Sequence, residues 1–493
     1  MLTAPLKKLF TTNWHFMGVI LFFALHGYAE YGLFISPGAV LWLLAKLIGG
    51  GLILFGLGNW LFRSKRKAGL FTSLFFIILL FFGAFQDTFE GLPLLHKLSP
   101  RKILAPVCLL VLIVVFFLIR RTKWPLNRPV LFINVLLVVY MLIDVGTLVG
   151  HTVAPPNWYP QPLPAQLTVC DTCAKPPVYF IILDEYMGSY GLQQYYGYNN
   201  QLFEDSLQQQ GFRVLQHTRS NYPYTVYSMF STLNMKYLAI GNVHKREHDT
   251  YRMSVTGIKF NPVCDYLNSL GYTIFNHSPF ELKQQQSAYR SILLADNINL
   301  LTSQTIWSRL APDVPNRLAK AGIMPSLVHR IDDDFMRNNE RMLQETLNKA
   351  AQPGHAPAFH YVHVMMPHNP YLADSTGRRT IPYAFRKSVT QQEGDNDYLQ
   401  YLVYTNRRIL RFIRELQQLE KGKAVILLMS DHGSRSTLHK DKKLMYYNLN
   451  AVYLPNGNYT GWYDGMTNVN QFRVLFNTLF HQRLPVLKDS IVY

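Results

Sequence analysis

The sequence predicts a membrane helical bundle of about five transmembrane helices, followed by an α/β domain with a central, mostly parallel sheet. Three observations carry this. Long apolar runs crowd the first 150 residues, a Pro-rich stretch ends them, and three apolar runs further on each stop at side chains able to bind a metal or a phosphate. At 493 residues the chain exceeds what one hydrophobic core organises. The expected division is a transmembrane domain at 1–150, an extended linker at 151–177 and an outer domain at 178–493.

Five stretches approach the roughly 20 apolar residues that cross a hydrocarbon core: 14–33, 38–61, 69–86, 102–119 and 129–150. The loops between them carry charge unevenly. Lys7 and Lys8, then Arg63, Lys65, Arg66 and Lys67, then Arg120, Arg121, Lys123 and Arg128 fall on alternate sides of these runs. That side is expected to be cytoplasmic. The other side holds Glu30, Asp87 and Glu90, with Lys97, Arg101 and Lys102 reducing the contrast. Five crossings that start in the cytoplasm end outside, so the chain reads as a multi-pass protein of the plasma (inner) membrane with an extracytoplasmic outer domain. No short apolar region with a small-residue cleavage site is evident, so the first run is expected to stay as an anchor. Asp144 is expected at the membrane interface. The net charge of +18 follows largely from these short basic loops. Orientation in a lipid bilayer accounts for it better than nucleic-acid binding, which is not expected.

Prolines from Pro155 to Pro164, then Pro176 and Pro177, mark an extended linker. Cys170 and Cys173 lie between them with the spacing of a redox or metal motif, but without the strand-to-helix setting of either. A small disulfide or two inert thiols is the expected outcome, since the oxidising side of a membrane permits a bridge. Cys108 lies in a membrane run and Cys264 has no evident partner.

In the outer domain, Val178–Leu183 runs into Asp184 and Glu185. The run 359–366 ends at Pro367-His368-Asn369-Pro370, and 424–429 ends at Ser430-Asp431-His432-Gly433. Patterns at 197–210, 334–350 and 398–420 read as helices. Side chains just past the carboxyl ends of parallel strands line a shared crevice, so Asp184, His368, Asp431 and His432 are expected to converge. Carboxylate with imidazole suits a divalent cation, Zn²⁺ or Mn²⁺ first, with Mg²⁺ or Ca²⁺ as alternatives. Thr225, in Ser220-Asn-Tyr-Pro-Tyr-Thr225, stands where a helix begins and is the candidate nucleophile. An N-cap there satisfies backbone N–H groups, and the same geometry suits a phosphate.

This order of motifs resembles the alkaline phosphatase superfamily in its sulfatase-like hydrolase/transferase branch, over roughly residues 176–480. The membrane layout is similar to that of lipoteichoic acid synthases and phosphoethanolamine transferases. The resemblance implies a metal held by Asp184 (or Glu185), Thr225, Asp431 and His432. In relatives, strand-end histidines near the second motif help bind the phosphate or a second metal, and His363 and His368 keep a five-residue spacing similar to that of phosphoethanolamine transferases; substrate binding is expected of His368, with His363 or Arg435. Asn448–Pro455 and Asp464–Arg473 resemble C-terminal stretches of sulfatase-like membrane proteins. The Cys/Ser-x-Pro-x-Arg setting of true sulfatases is lacking around Thr225, and the paired cysteines of some phosphoethanolamine transferases are not recognisable there. The expected function is transfer of a phosphoethanolamine- or phosphoglycerol-type group from a membrane phospholipid donor, through Thr225, to an envelope glycan or lipid acceptor. A hydrolase or phosphodiesterase of the same fold is the first alternative, and a catalytically silent envelope scaffold the second.

Overall fold

The computed structural model describes residues 10–32, 35–90, 100–153, 167–238, 248–289, 298–310, 318, 325–352, 357–382, 385, 386, 388–436 and 439–493. The Pro-rich part of the expected linker, and Lys7, Lys8 and Lys97, lie outside them. The chain forms two compact units, one of residues 1–156 with 293–318, the other of 157–292 with 319–493.

The first unit contains α1 (His15–Tyr31), α2 (Pro37–Phe62), α3 (Lys65–Glu90), α4 (Pro100–Arg121) and α5 (Asn127–Val153). Four of them, over Pro37–Phe62, Lys65–Glu90, Ile103–Arg121 and Asn127–His151, are long and apolar enough to cross a membrane, and the chain is an integral membrane protein. The first expected run differs. Its helix has 17 residues, short of the roughly 20 a crossing needs, and position 33 lies outside the described residues.

Contacts along the bundle fix the helix directions. The Asn134 amide of α5 donates to Phe10 and Thr12 carbonyls at 3.0 and 2.9 Å, and His26 Nδ1 meets Asp144 Oδ1 at 2.9 Å, so α1 and α5 run parallel. His15 Nδ1 lies 2.6 Å from Ser73 Oγ, while Phe23 meets Phe81 edge-on, so α3 also runs parallel to α1. Phe16 stacks on Phe55 of α2 and Gly51 approaches Ile20, an antiparallel pairing. α2 therefore runs against α1, α3 and α5. Asp144 is buried beside His26. Outward-facing Trp42, Ile53 and Phe132 stay mostly exposed, the apolar exterior expected of helices solvated by lipid.

The second unit carries α6 (Ser189–Tyr196), α7 (Gln201–Gln209), α8 (Thr225–Asn234), α9 (His248–Lys259) and α10 (Pro262–Ser269). Two short helices of the first unit follow, α11 (Ile298–Thr302) and α12 (Ile306–Leu310), before the second unit resumes with α13 (Pro325–Ala350), α14 (Gln391–Leu419) and α15 (Gln471–Phe480). Its strands are β1 (Val178–Leu183), β2 (Arg213–Val214), β3 (Thr273–His277), β4 (Ala358–Val364), β5 (Val425–Met429) and β6 (Asn450–Tyr453). They form one sheet in the order β2-β6-β5-β1-β4-β3. The four strands from β5 to β3 are mutually parallel, and β6 and β2 pair antiparallel at one edge.

All side chains of β1 and β5 are buried, which is why these strands read as unbroken apolar runs: helices cover both faces. Phe180 and Ile182 pack with Leu427, Met429, Phe472 and Phe476 on one face. Tyr179, Ile181 and Leu183 pack with Leu402, Ile409, Phe412 and Met342 on the other. Cys170 and Cys173 are joined in a disulfide, while Cys108 and Cys264 are free and buried.

Candidate active site at the carboxyl ends of the strands

β1, β4 and β5 lie side by side and parallel, so the residues that follow or end them share one edge of the sheet. Asp184 follows β1, His363 is the penultimate residue of β4, and Asp431 follows β5 by two positions. All three are buried, and one donor atom from each lies within 4.8 Å of the others. Asp184 Oδ2 is 3.4 Å from His363 Nε2. Burial opposes ionisation of Asp184, but His368, His363 and His432 outweigh it and hold the carboxyl below the ordinary carboxylate range.

Asp431 is fixed from several sides. Its Oδ1 accepts from the backbone N–H of Glu185 at 3.1 Å and of His432 at 2.9 Å. Its carbonyl accepts from Ser228 Oγ at 2.5 Å and from Asn468 Nδ2 at 3.1 Å. His432 Nδ1 lies 2.7 Å from the Gly433 carbonyl, which can only accept, so Nδ1 carries a proton. In a neutral ring Nε2 then presents a lone pair, and it stands 3.2 Å from Asp431 Oδ2 and 3.2 Å from Thr225 Oγ1. A lone pair turned toward a carboxylate is repulsive unless a cation lies between them. Gly433 is required by close approach: a Cβ there would lie 2.2 Å from the Leu444 carbonyl oxygen and 2.4 Å from that of Tyr447.

Thr225 is the first residue of α8, and Tyr224 is the N-cap. This corrects the expected N-cap placement. The Thr225 side chain is not committed to closing the helix, and its hydroxyl faces His432. Thr225 still stands at the positive end of a ten-residue helix.

Glu185 occupies a left-handed backbone conformation, φ 65°, which is uncommon for a residue with a Cβ. Its backbone is pinned by Asp431 and by the Tyr398 hydroxyl, which donates to its carbonyl at 3.0 Å. Its carboxylate accepts from the Arg435 backbone N–H, and the other oxygen lies 3.7 Å from His368 Nε2. Arg435 in turn donates to His368 Nε2 at 2.5 Å. The structure therefore sorts the expected residues into two neighbouring groups: Asp184, His363, Asp431, His432 and Thr225 in one, Glu185, His368 and Arg435 in the other.

The donor set fits a divalent cation. Asp184 Oδ1, Glu185 Oε2, Asp431 Oδ2 and His363 Nε2 are all buried without a hydrogen-bond partner. Each such atom costs on the order of 1–3 kcal/mol if nothing meets it, so their gathering at one edge is unfavourable without a positive charge. Residues outside the expected site set hold this edge in place. Asn448 donates to the Ser430 carbonyl and to Asn468 Oδ1, both at 2.8 Å, and Ser430 Oγ donates to the Tyr186 carbonyl at 2.6 Å. Their signal was present as polar residues interrupting apolar stretches, in Asn448-Leu-Asn450-Ala-Val and Asn468-Val-Asn470.

No curated protein gives a significant match to the chain. Among solved structures, the C-terminal periplasmic domain of EptC from Escherichia coli in complex with Zn is 14% identical, covering 64% of this chain and 86% of that one at a TM-score of 0.38. The same domain of phosphoethanolamine transferase EptC from Campylobacter jejuni is 14% identical, covering 64% and 91% at 0.35. The integral membrane lipooligosaccharide phosphoethanolamine transferase A from Neisseria meningitidis is 12% identical, covering 94% and 95% at 0.38. The Sulfatase family model matches residues 176–482, more than half of the chain and the whole of the strand-end site just described. The chain belongs to the sulfatase family of enzymes.

Proposed function

We propose that this membrane enzyme transfers a phospho-group, of phosphoethanolamine or phosphoglycerol type, from a membrane phospholipid to an envelope glycan or lipid through Thr225. One observation carries the reading. A hydroxyl at a helix N-terminus stands 3.2 Å from a buried imidazole, within a cluster of buried carboxylate oxygens that have no hydrogen-bond partner. In the first step the Thr225 oxygen bonds to phosphorus while the bond to the diacylglycerol oxygen breaks. The Thr225 hydroxyl proton passes to solvent, and the departing diacylglycerol oxygen takes one up from solvent. In the second step the acceptor hydroxyl oxygen bonds to phosphorus and loses its proton to solvent, while the bond from phosphorus to the Thr225 oxygen breaks and that oxygen is reprotonated.

Asp184, Asp431 and His432 would hold the cation, with His363 joined to them by position. A divalent ion there, Zn²⁺ or Mn²⁺, supplies positive charge that favours ionisation of Thr225 and offsets charge on the phosphoryl oxygens. The α8 N-terminus and Arg435, oriented by His368 and Glu185, face the remaining oxygens. The bundle supports a lipid donor, because tethering raises the effective concentration of an active site toward a bilayer-borne substrate. The basic loops of the sequence support a cytoplasmic N-terminus and an α/β domain outside.

The test incubates the full chain in detergent with Zn²⁺ or Mn²⁺ and head-group-labelled phosphatidylethanolamine or phosphatidylglycerol, following diacylglycerol release. Release that accelerates when a glycan acceptor is added, with label on the glycan, is the expected result. Release indifferent to the acceptor identifies a hydrolase, and no release with cation bound removes lipid as the donor.

A further inference from the structure

α11 and α12 belong to the bundle unit although the sequence on both sides of them belongs to the α/β unit. The chain leaves that unit after Ile292 and re-enters it at Ala319. What it does between is specific. The Gly83 backbone N–H of α3 donates to the Gln304 carbonyl at 2.7 Å, and a Cβ at Gly83 would lie 2.9 Å from Gln304 Cα, so only glycine admits this approach. Arg309 grips Asp87 with two parallel hydrogen bonds, at 2.9 and 2.7 Å. Leu301 sits over Gly27 of α1, and Ile306 and Leu310 pack against the cluster of Ile78, Phe82, Leu104 and Cys108.

Gly27, Gly83 and Asp87 all lie near the carboxyl ends of α1 and α3, the end at which the parallel α5 also finishes. At Asp87 the apolar run of α3 gives way to Asp87 and Glu90, the change of composition that a helix shows where it leaves a hydrocarbon layer. On the same short helix whose Ile306 and Leu310 pack, partly buried, against the bundle, Trp307 turns away and is 66% exposed. Phe85, Phe89 and Ile103 close by are also exposed, continuing the apolar surface of the crossing helices. An indole there has one environment that suits both its apolar ring and its N–H, the head-group layer of a bilayer.

We infer that Ile298–Leu310 is an interfacial element: the Arg309–Asp87 pair and the Gly83 approach lock it to the end of the bundle, and Trp307 inserts among phospholipid head groups. The α/β unit is thereby tied to the bilayer by a second stretch of chain besides the one that follows α5.

The experiment places the full chain in phosphatidylcholine vesicles whose acyl chains carry bromine either just below the head groups or near the bilayer centre. The Trp307 signal is the difference in emission between the wild type and Trp307→Phe, which removes one of seven tryptophans. The expected result is severalfold stronger quenching of that difference by the shallow bromines. Absence of quenching by both, or stronger quenching by the deep set, overturns the inference. Asp87→Arg should lower the shallow quenching, and Asp87→Arg with Arg309→Asp should restore it. A single variant that quenches like the wild type, or a swap that fails to restore, overturns the lock.

Discussion

Strand β4 carries two buried histidines three positions apart, and the sheet gives them opposite fates. His360 points to one face, where it stacks on Tyr179 and Phe275 at 4.4 and 4.8 Å between ring centres and lies 3.4 Å from His277. His363 points to the other face at the strand's carboxyl end, with Tyr361 OH at 3.0 Å and the Asp184 carboxylate at 3.4 Å. Both are almost wholly buried, so burial does not distinguish them. The company does: His360 is stacked between aromatic rings, while His363, beside the rings of Tyr361 and Phe280, also faces the Asp184 carboxylate, one of whose oxygens has no hydrogen-bond partner.

Removing the cation should separate the two regions most completely. Dialysis against a strong chelator is expected to abolish turnover, and added Zn²⁺ or Mn²⁺ to restore it, while the thermal midpoint falls only by the contribution of metal binding. Turnover that survives chelation would mean that the carboxylate group is structural, like the His360 cluster. A sharper contrast comes from two alanine variants. His363→Ala should weaken metal affinity on the order of 100-fold, whereas His360→Ala should leave affinity nearly unchanged and cost about 2 kcal/mol of stability through lost packing. Isothermal titration and urea unfolding read these two outcomes, and equal effects on metal affinity would erase the distinction.

Asn468 touches no reacting group, yet its side chain holds the Ser430 and Asp431 carbonyls. Asn468→Ala should reduce kcat about 10-fold with little change in KM, as loss of a group that orients ligands does. A KM effect alone would contradict a positioning role.

The aromatic cluster should show itself in pH dependence. Burial, with a smaller contribution from Lys349, lowers His277 from 6.5 to about 4. The unfolded chain thus binds a proton below pH 6.5 that the folded chain refuses until about pH 4. Stability from this residue is complete above pH 6.5 and is lost as pH falls toward 4, by about 3 kcal/mol in all. His277→Asn should flatten that slope in urea titrations at pH 7 and 4.5; an unchanged slope would assign it to other groups.

Much of this was legible in the chain because fully buried parallel strands leave unbroken apolar runs. β1, β4 and β5 announced themselves so, together with the acids and histidines that follow them. β3 escaped because Thr273-Ile-Phe-Asn-His277 is a partly exposed edge strand with polar residues, and β2 because two residues form no pattern. The grouping of the site was less legible than its membership. Whether His363 joins Asp184 or stands with His368 depends on which face of β4 each residue takes and on the loop beyond it. Thr225 was found by its place before a helix, but its position inside the first turn rather than at the cap depends on the backbone of Tyr224. The return of 298–310 to the bundle had no sequence signal, since Gly83 and Asp87 lie more than 200 positions away from their partners.

The most direct test of the account is mass spectrometry of the full chain after incubation with Zn²⁺ or Mn²⁺ and mixed phospholipids, without an acceptor. A head-group phosphate adduct on the peptide that carries Thr225, absent from Thr225→Ala, whose turnover should fall on the order of 10³-fold or more, is the predicted result. An adduct on a different residue, or undiminished turnover of Thr225→Ala, would contradict it.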